Sequence, residues 1–139
     1  MSLEVVRLTP DNLDLLARVA PEVFDEPVRP DRLAAYVREP GHLLLLCVIA
    51  GEVVAQVAAV VHRHPDKPTE LYIDEVGVTP ACQRQGIARR MLEQMFAIGR
   101  GLGCEEAWVG TEPDNDAAIA LYRRFGGEPQ AIVMFEYDL

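Results

Sequence analysis

"DEVGVTPACQRQGIARR", residues 74–90, is the stretch on which the reading of the fold turns. Its first residues end a β-run, "ELYIDEVGV" (70–78), which Thr79-Pro80 breaks. From Ile87 the apolar period changes: Ile87, Met91, Met95, Ile98 and Leu102 recur at helical spacing, and Gly101 and Gly103 close the helix. A strand therefore feeds a helix through a short turn containing Gly86. From Pro80 to Leu92 the chain carries three arginines and no acid, although its formal charge is −9. A helix N-terminus offers unpaired N–H groups and about half a positive charge. Glycine at 86 lets an anion's oxygens approach the backbone, Ala88 keeps the next contact small, and Arg84, Arg89 and Arg90 add charge. A phosphate or pyrophosphate fits such a turn. Taken alone, Gly86 is explained as well or better as a residue easing a strand-to-helix junction among solvated arginines.

Outward from this turn, the chain alternates strand and helix patterns. "EVVRL" (4–8) is a first strand, followed by a helix from Thr9-Pro10 with Leu13, Leu16, Ala17 and Ala20 on one face. A second helix spans about Pro30 to Arg38. "LLLLCVI" (43–49) and "EVVAQVAAVVH" (52–62) form a hairpin at Ala50-Gly51. "CEEAWVGT" (104–111) is a strand with Trp108 expected in the core. Asn115 to Phe125 is a helix with Ala118, Leu121, Tyr122 and Phe125 inward, and "QAIVMFEYD" (130–138) is a last strand. The order β-α-α-β-β-β-α-β-α-β, over a single domain of residues 1–139, predicts an α/β fold with a mixed sheet and helices on both faces.

Composition excludes several functions. An acidic chain is poorly suited to nucleic acid and well suited to a cationic small molecule or peptide. The longest apolar run, in "HLLLLCVIAG" (42–51), is far short of the ~20 residues that cross a bilayer. "MSLEVVRLTP" (1–10) shows no secretory pattern, and Cys47, Cys82 and Cys104 form neither a disulfide framework nor a metal spacing. A reducing cytoplasm is the expected setting, with no membrane partner and Cys82 a packing residue. His62 and His64 share a strand face by spacing and are expected to line an acceptor cleft; lacking a third ligand nearby, they predict no metal. The P-loop fails because Lys67 is the only lysine, and the Rossmann turn fails for want of three spaced glycines.

Two motifs together point further. Gln83 to Ala88 match a Gln/Arg-x-x-Gly-x-Gly/Ala signature, and "NDAAIALYRRFGG" (115–127) matches Asn-x-x-Ala-x-x-Leu-Tyr-x-x-x-Gly. Both resemble motifs of the GCN5-related N-acetyltransferases, the GNAT superfamily, whose element order also agrees over nearly the whole chain. The resemblance implies that acetyl-coenzyme A is the acetyl donor, with no metal. Its pyrophosphate would lie on the amides of Arg84, Gln85, Gly86, Ile87 and Ala88, and Arg89 or Arg90 would meet the 3′-phosphate. Val76 and Val78 would pair with the pantetheine arm in a splay of the sheet, with Asn115 and Ala118 also facing the cofactor. Amides near Val76 and Gly77 would stabilise the oxyanion. Tyr122 would point at the thioester sulfur. A phenol of pKa ~10 is a weaker acid than a thiol of ~8.5, so proton transfer is uphill by about 2 kcal/mol and hydrogen-bond donation is the firmer role. Glu75 is the first choice of base and Asp74 the second, the two lying on opposite strand faces by alternation.

"VFDEP" (23–27), "YVREP" (36–40), "ELYIDEVGV", "ALYRRFG" (120–126) and "VMFEYD" (133–138) are similar to the type I aminoglycoside 3-N-acetyltransferases. From Glu105 to Leu139 there are eight acids against two arginines, and Asp25, Glu26, Glu112, Asp114 and Asp116 are expected to ring a cleft for a polycation. A peptide N-terminus or a polyamine is the alternative acceptor, and a non-catalytic acyl-coenzyme A-binding module the alternative of another class. The family and the exposed sheet edges also suggest a homodimer.

Overall fold

The computed structural model describes residues 2–139. Strands β1 (Leu3–Arg7), β2 (His42–Ile49), β3 (Glu52–His62), β4 (Glu70–Val78) and β5 (Glu106–Val109) stand side by side in chain order. The first four are antiparallel neighbours, whereas β5 runs parallel to β4. Helix α2 (Ile87–Gly101) makes that crossover, α1 (Pro30–Arg38) precedes β2, and α3 (Asp116–Arg124) follows β5. The mixed sheet expected from the element order is present.

Local chemistry explains the joints. Ala50 and Gly51 both have positive φ, 50° and 76°, and Ile49 pairs with Glu52, which is the two-residue turn that matches strand twist. β2 and β3 are buried at consecutive positions, so both faces of the central sheet are covered. Ile87, Met91, Leu92, Met95 and Gly99 of α2 form the buried stripe that packs on β2, β3 and β4. Gly99 permits the close approach: a Cβ there would lie 2.8 Å from Leu71 Cδ2. Leu102, assigned to the same stripe by spacing, is 40% exposed beyond the end of the helix.

Three expectations change. The first helix shrinks to a 3-10 turn, Leu13–Ala17, because the chain is drawn out to pair with β3. The amide of Val53 donates to Arg18 O and that of Ala20 to Val53 O, both at 2.9 Å, an extended pairing that outweighs the helical spacing of Ala20. Trp108 is 44% exposed rather than core, since β5 is an edge strand and the indole stacks over Tyr72 at 4.1 Å. Residues 130–138 form no strand: the tail pairs with no edge of its own chain, although β5 leaves its outer edge free, and strand propensity is realised only on pairing.

One close approach fixes the segment that crosses β4. The carbonyl of Val23 sits on Gly77, 2.2 Å from where a Cβ would be, and accepts a 3.3 Å hydrogen bond from Gln56 Nε2. Overpacking generally costs about 1–3 kcal/mol. Gly77→Ala is expected at the top of that range, because backbone must move. Gly99→Ala meets only a flexible leucine end and regains ~1 kcal/mol of helix propensity. Urea unfolding of the two variants should show G77A clearly the more destabilised.

Candidate functional site

β5 is four residues long, and its pairing with β4 ends at Val109–Ile73. From Glu75 to Val78, β4 stays paired to β3 on one side, and from Asp74 onward it has no strand on the other. This is the splay that the sequence reading anticipated. Its open side leads into a cleft of about 440 Å³ lined by Glu22, Phe24, Asp25, Val76, Gly77, Val78 and Gln83. Glu22, itself at a positive φ of 64°, carried no sequence signal.

The strand then enters the glycine turn. Gly86 caps α2 in the left-handed conformation (φ 76°), and Arg84 is left-handed too (φ 63°). Reversals of this kind turn successive amides to one side and make an anion-binding hollow. The first bond of the helix runs from Arg90 N–H to Gly86 O at 3.1 Å, and no side chain caps it. Among the described residues, the amides of Arg84, Gln85 and Gly86 donate to no backbone acceptor. Ile87 is buried beneath the turn, while Ala88 is half-buried and leaves the approach open. Gln83 steadies the strand end through Nε2 to Val78 O at 3.1 Å. A cofactor pyrophosphate fits these free amides and the charge of Arg84. Arg89 is instead engaged on the surface, its Nε 3.4 Å from Glu93 Oε1.

The acids at the mouth are not arranged by simple alternation. Across β3, Ala58 pairs with Glu75 and Ala59 with Ile73, so Asp74 is the extra residue of a bulge. The expectation that Asp74 and Glu75 lie on opposite faces therefore fails locally. Burial raises the Glu75 carboxyl above its usual range, the charge of Asp25 adds to this, and hydrogen bonds from the Asp25 backbone and Gln56 oppose it. Burial raises the more exposed Asp74 as well, with His42 opposing. Both carboxylates act on Tyr36, whose phenol donates to Leu43 O at 3.1 Å and is pushed up to about 12, first by burial and then by their charge.

On the far side, Asn115 caps α3, its Oδ1 accepting from the amide of Ala118 at 3.1 Å. That leaves the Asn115 Nδ2 group available but occupies the Ala118 amide. Tyr122 is half-buried, and burial raises its phenol, which makes it a still weaker acid than the free side chain. Phe125 holds α3 against α2 through an edge-on contact with Phe96 at 5.2 Å. Of the five acids expected around the cleft, Asp25 is there, Glu26 is exposed beside it, and Glu112, Asp114 and Asp116 lie exposed on the connection from β5 into α3. His62 and His64 do not line it: they face Glu70 at the opposite end of β4, about 20 Å from Val76 at 3.3 Å per residue.

Comparison with known proteins agrees with this architecture. The family model described as Acetyltransferase (GNAT) family matches residues 9–127, and the chain belongs to that family. N-alpha-acetyltransferase RimI of Mycobacterium tuberculosis is 33% identical over 106 residues, which make up 75% of this chain and 63% of that protein. The chain thus spans less than two thirds of that relative. An aminoglycoside acetyltransferase from an uncultured soil metagenomic sample superposes with a TM-score of 0.83 at 24% identity, covering 100% of this chain and 99% of the other. The aminoglycoside acetyltransferase AAC(6')-Iy, solved in complex with the bisubstrate analog CoA-S-monomethyl-acetylneamine, gives 0.81 at 15% identity, covering 100% and 99%. At these identities the structural likeness establishes the fold.

The environment of Glu75 has a cost in stability. Its folded pKa is raised above the unfolded value of 4.5, so the folded state binds the proton more tightly. Stability falls as pH rises through the interval between those two values. Glu75→Gln is expected to flatten this part of the stability–pH curve and to match or exceed the parent at pH 7. Chemical unfolding between pH 4 and 8 measures it.

Proposed function

We propose that the protein transfers the acetyl group of acetyl-coenzyme A to a primary amine of a cationic small molecule, with an aminoglycoside 3-amino group the acceptor to test first. The observation that carries this reading is the unpaired edge of β4 from Asp74 to Val78, set between an acid-lined cleft and a turn of free amides. When bound, the donor supplies an activated acetyl carbonyl. The amides of Arg84 to Ala88 hold its pyrophosphate, and the backbone of Val76 and Val78 orients its pantetheine arm. Asn115 donates through Nδ2, the small Ala118 leaves room beside it, and Tyr122 offers its O–H to the sulfur. The Val76 amide, on the open side of β4, serves the developing oxyanion, since alternation turns the Gly77 amide toward Gln56 of β3. Arg90 is the better candidate for the 3′-phosphate, since Arg89 already has Glu93.

An amine nucleophile arrives protonated, and Glu75 is the base that takes the proton, directly or through water. Its raised pKa suits it to the role, because a base nearer neutrality still holds the proton it accepts. Asp74, on the bulge, and Asp25 and Glu22 in the cleft attract the cation. The second reading, a peptide N-terminus, is favoured by the RimI relative. A reducing cytoplasm is the setting in which the three free thiols would persist.

The tail supports a homodimer. Ile132, Val133, Met134, Phe135 and Tyr137 are between 73% and 79% exposed, while β5 has a free outer edge. A second copy covers both when the tail of each chain reaches the other, with Gly126-Gly127 as the hinge. Light scattering should give twice 15.4 kDa for the whole chain and 15.4 kDa or less after truncation at Gly127. A monomeric full chain would overturn it.

Coenzyme A release should be followed with an aminoglycoside, a polyamine and a peptide bearing a free N-terminus, and the acetylated nitrogen located by NMR. Turnover restricted to the peptide would replace the first reading with the second. Cofactor binding without turnover on any amine would leave an acyl-coenzyme A-binding module. Glu75→Gln is expected to lower kcat at neutral pH about 10²-fold or more with little change in cofactor affinity. It should also remove the acidic limb of the pH–rate profile. An unaltered profile would take Glu75 out of the chemistry.

A further inference from the structure

The turn between β3 and β4 contains a second convergence of chemistry. His62 ends β3, Glu70 begins β4 directly opposite it, and His64 lies two residues into the connection. One ligand atom from each side chain lies within 4.8 Å of the other two. The imidazoles are 4.1 Å apart between centroids, and the side chains of His64 and Glu70 are only 12% and 17% exposed. Cluster and burial alone are common at hairpin ends.

Two further details raise this cluster above that level. His64 Nε2 is shut off from water with no hydrogen-bond partner, yet stands 3.4 Å from Glu70 Oε1. A bare nitrogen lone pair facing a carboxylate oxygen repels it, so either a proton carried on Nε2 or a metal ion lies between. The second detail is Trp108, whose Nε1–H donates to the other carboxylate oxygen, Oε2, at 3.1 Å. Trp108 is itself held by stacking on Tyr72. An outer hydrogen bond that fixes a ligating carboxylate and leaves one oxygen free is the usual support of a metal ligand.

We propose that His62, His64 and Glu70 bind a divalent transition-metal ion, Zn²⁺ being the best match, in a site that clamps the β3–β4 turn and ties it to β5. Two imidazoles and one carboxylate suit zinc, cobalt and nickel over calcium or magnesium, which favour oxygen. Tetrahedral ligands at ~2.0–2.1 Å from the ion lie about 3.3 Å apart, so the set must draw in, and exposed His62 at the strand end is free to do so. Solvent completes the coordination. Spacing alone offers His62 and His64 no third ligand; the hairpin supplies it from eight residues downstream of His62.

The test uses the full chain made without a histidine tag, stripped with a chelator and titrated at pH 7.5 with Co²⁺ and then Zn²⁺. One equivalent of Co²⁺ should give the visible absorption of a low-symmetry site, displaced by Zn²⁺. Zn²⁺ should also raise Tm in a concentration-dependent way. His62→Ala, whose side chain is exposed and dispensable for folding, and Glu70→Gln should each weaken binding at least tenfold and abolish the Tm shift. Trp108→Phe should weaken it about tenfold while keeping the stoichiometry. Absence of saturable binding in the parent would leave a proton as the bridging cation and overturn the proposal, as would undiminished binding in H62A. Neither readout depends on acetyl transfer, so the result stands apart from the function proposed above.

Discussion

Beyond Ile73 the backbone of β4 has no neighbour on one side, and the rest of the molecule is organised around that gap. β5 pairs for four residues and then leaves the sheet, so the last five residues of β4 keep an open row of peptide groups. An unpaired inner edge is normally a liability that a fold covers. Here it is bounded by Val23 leaning on Gly77 and by the turn at Gly86. The tight contact at Gly77 holds the 21–27 segment, and with it Glu22 and Asp25, over the cleft.

Charge is sorted along the same strand. Within residues 74–90 the chain passes from carboxylates at 74 and 75 to arginines at 84, 89 and 90, with free amides between. Burial does further work at the acidic end, lifting Asp74, Glu75 and the phenol of Tyr36, to which the two carboxylates add. The basic end is solvent-facing, and its strength comes from oriented backbone dipoles rather than from buried charge. A single strand-to-helix unit therefore carries carboxylates at one end and free amides with arginines at the other.

How legible each feature was depends on the range of the forces that set it. The Ala50-Gly51 turn and the cap at Gly86 follow from local φ preference, and the α2 stripe from its period, so all three could be read directly. The helix expected at 9–20 was read from the same kind of spacing and failed after Ala17, because Val53 offered Arg18 and Ala20 better partners from across the fold. Trp108 was assigned to the core by residue type alone, and no pattern in "CEEAWVGT" marks an edge strand. The acids at 112, 114 and 116 were assigned to a cleft by composition, which carries no position.

The sequence by itself determined the order and type of most elements, the glycine turn and the family motifs, since each depends on residues within a few positions of one another. Only the tertiary structure decided the bulge that puts Asp74 out of step with Glu75, the meeting of His62, His64 and Glu70, and the fate of a tail that pairs with no strand of its own chain. These depend on which strand stops where, and strand ends are settled by pairing between residues distant in sequence, which no local preference records.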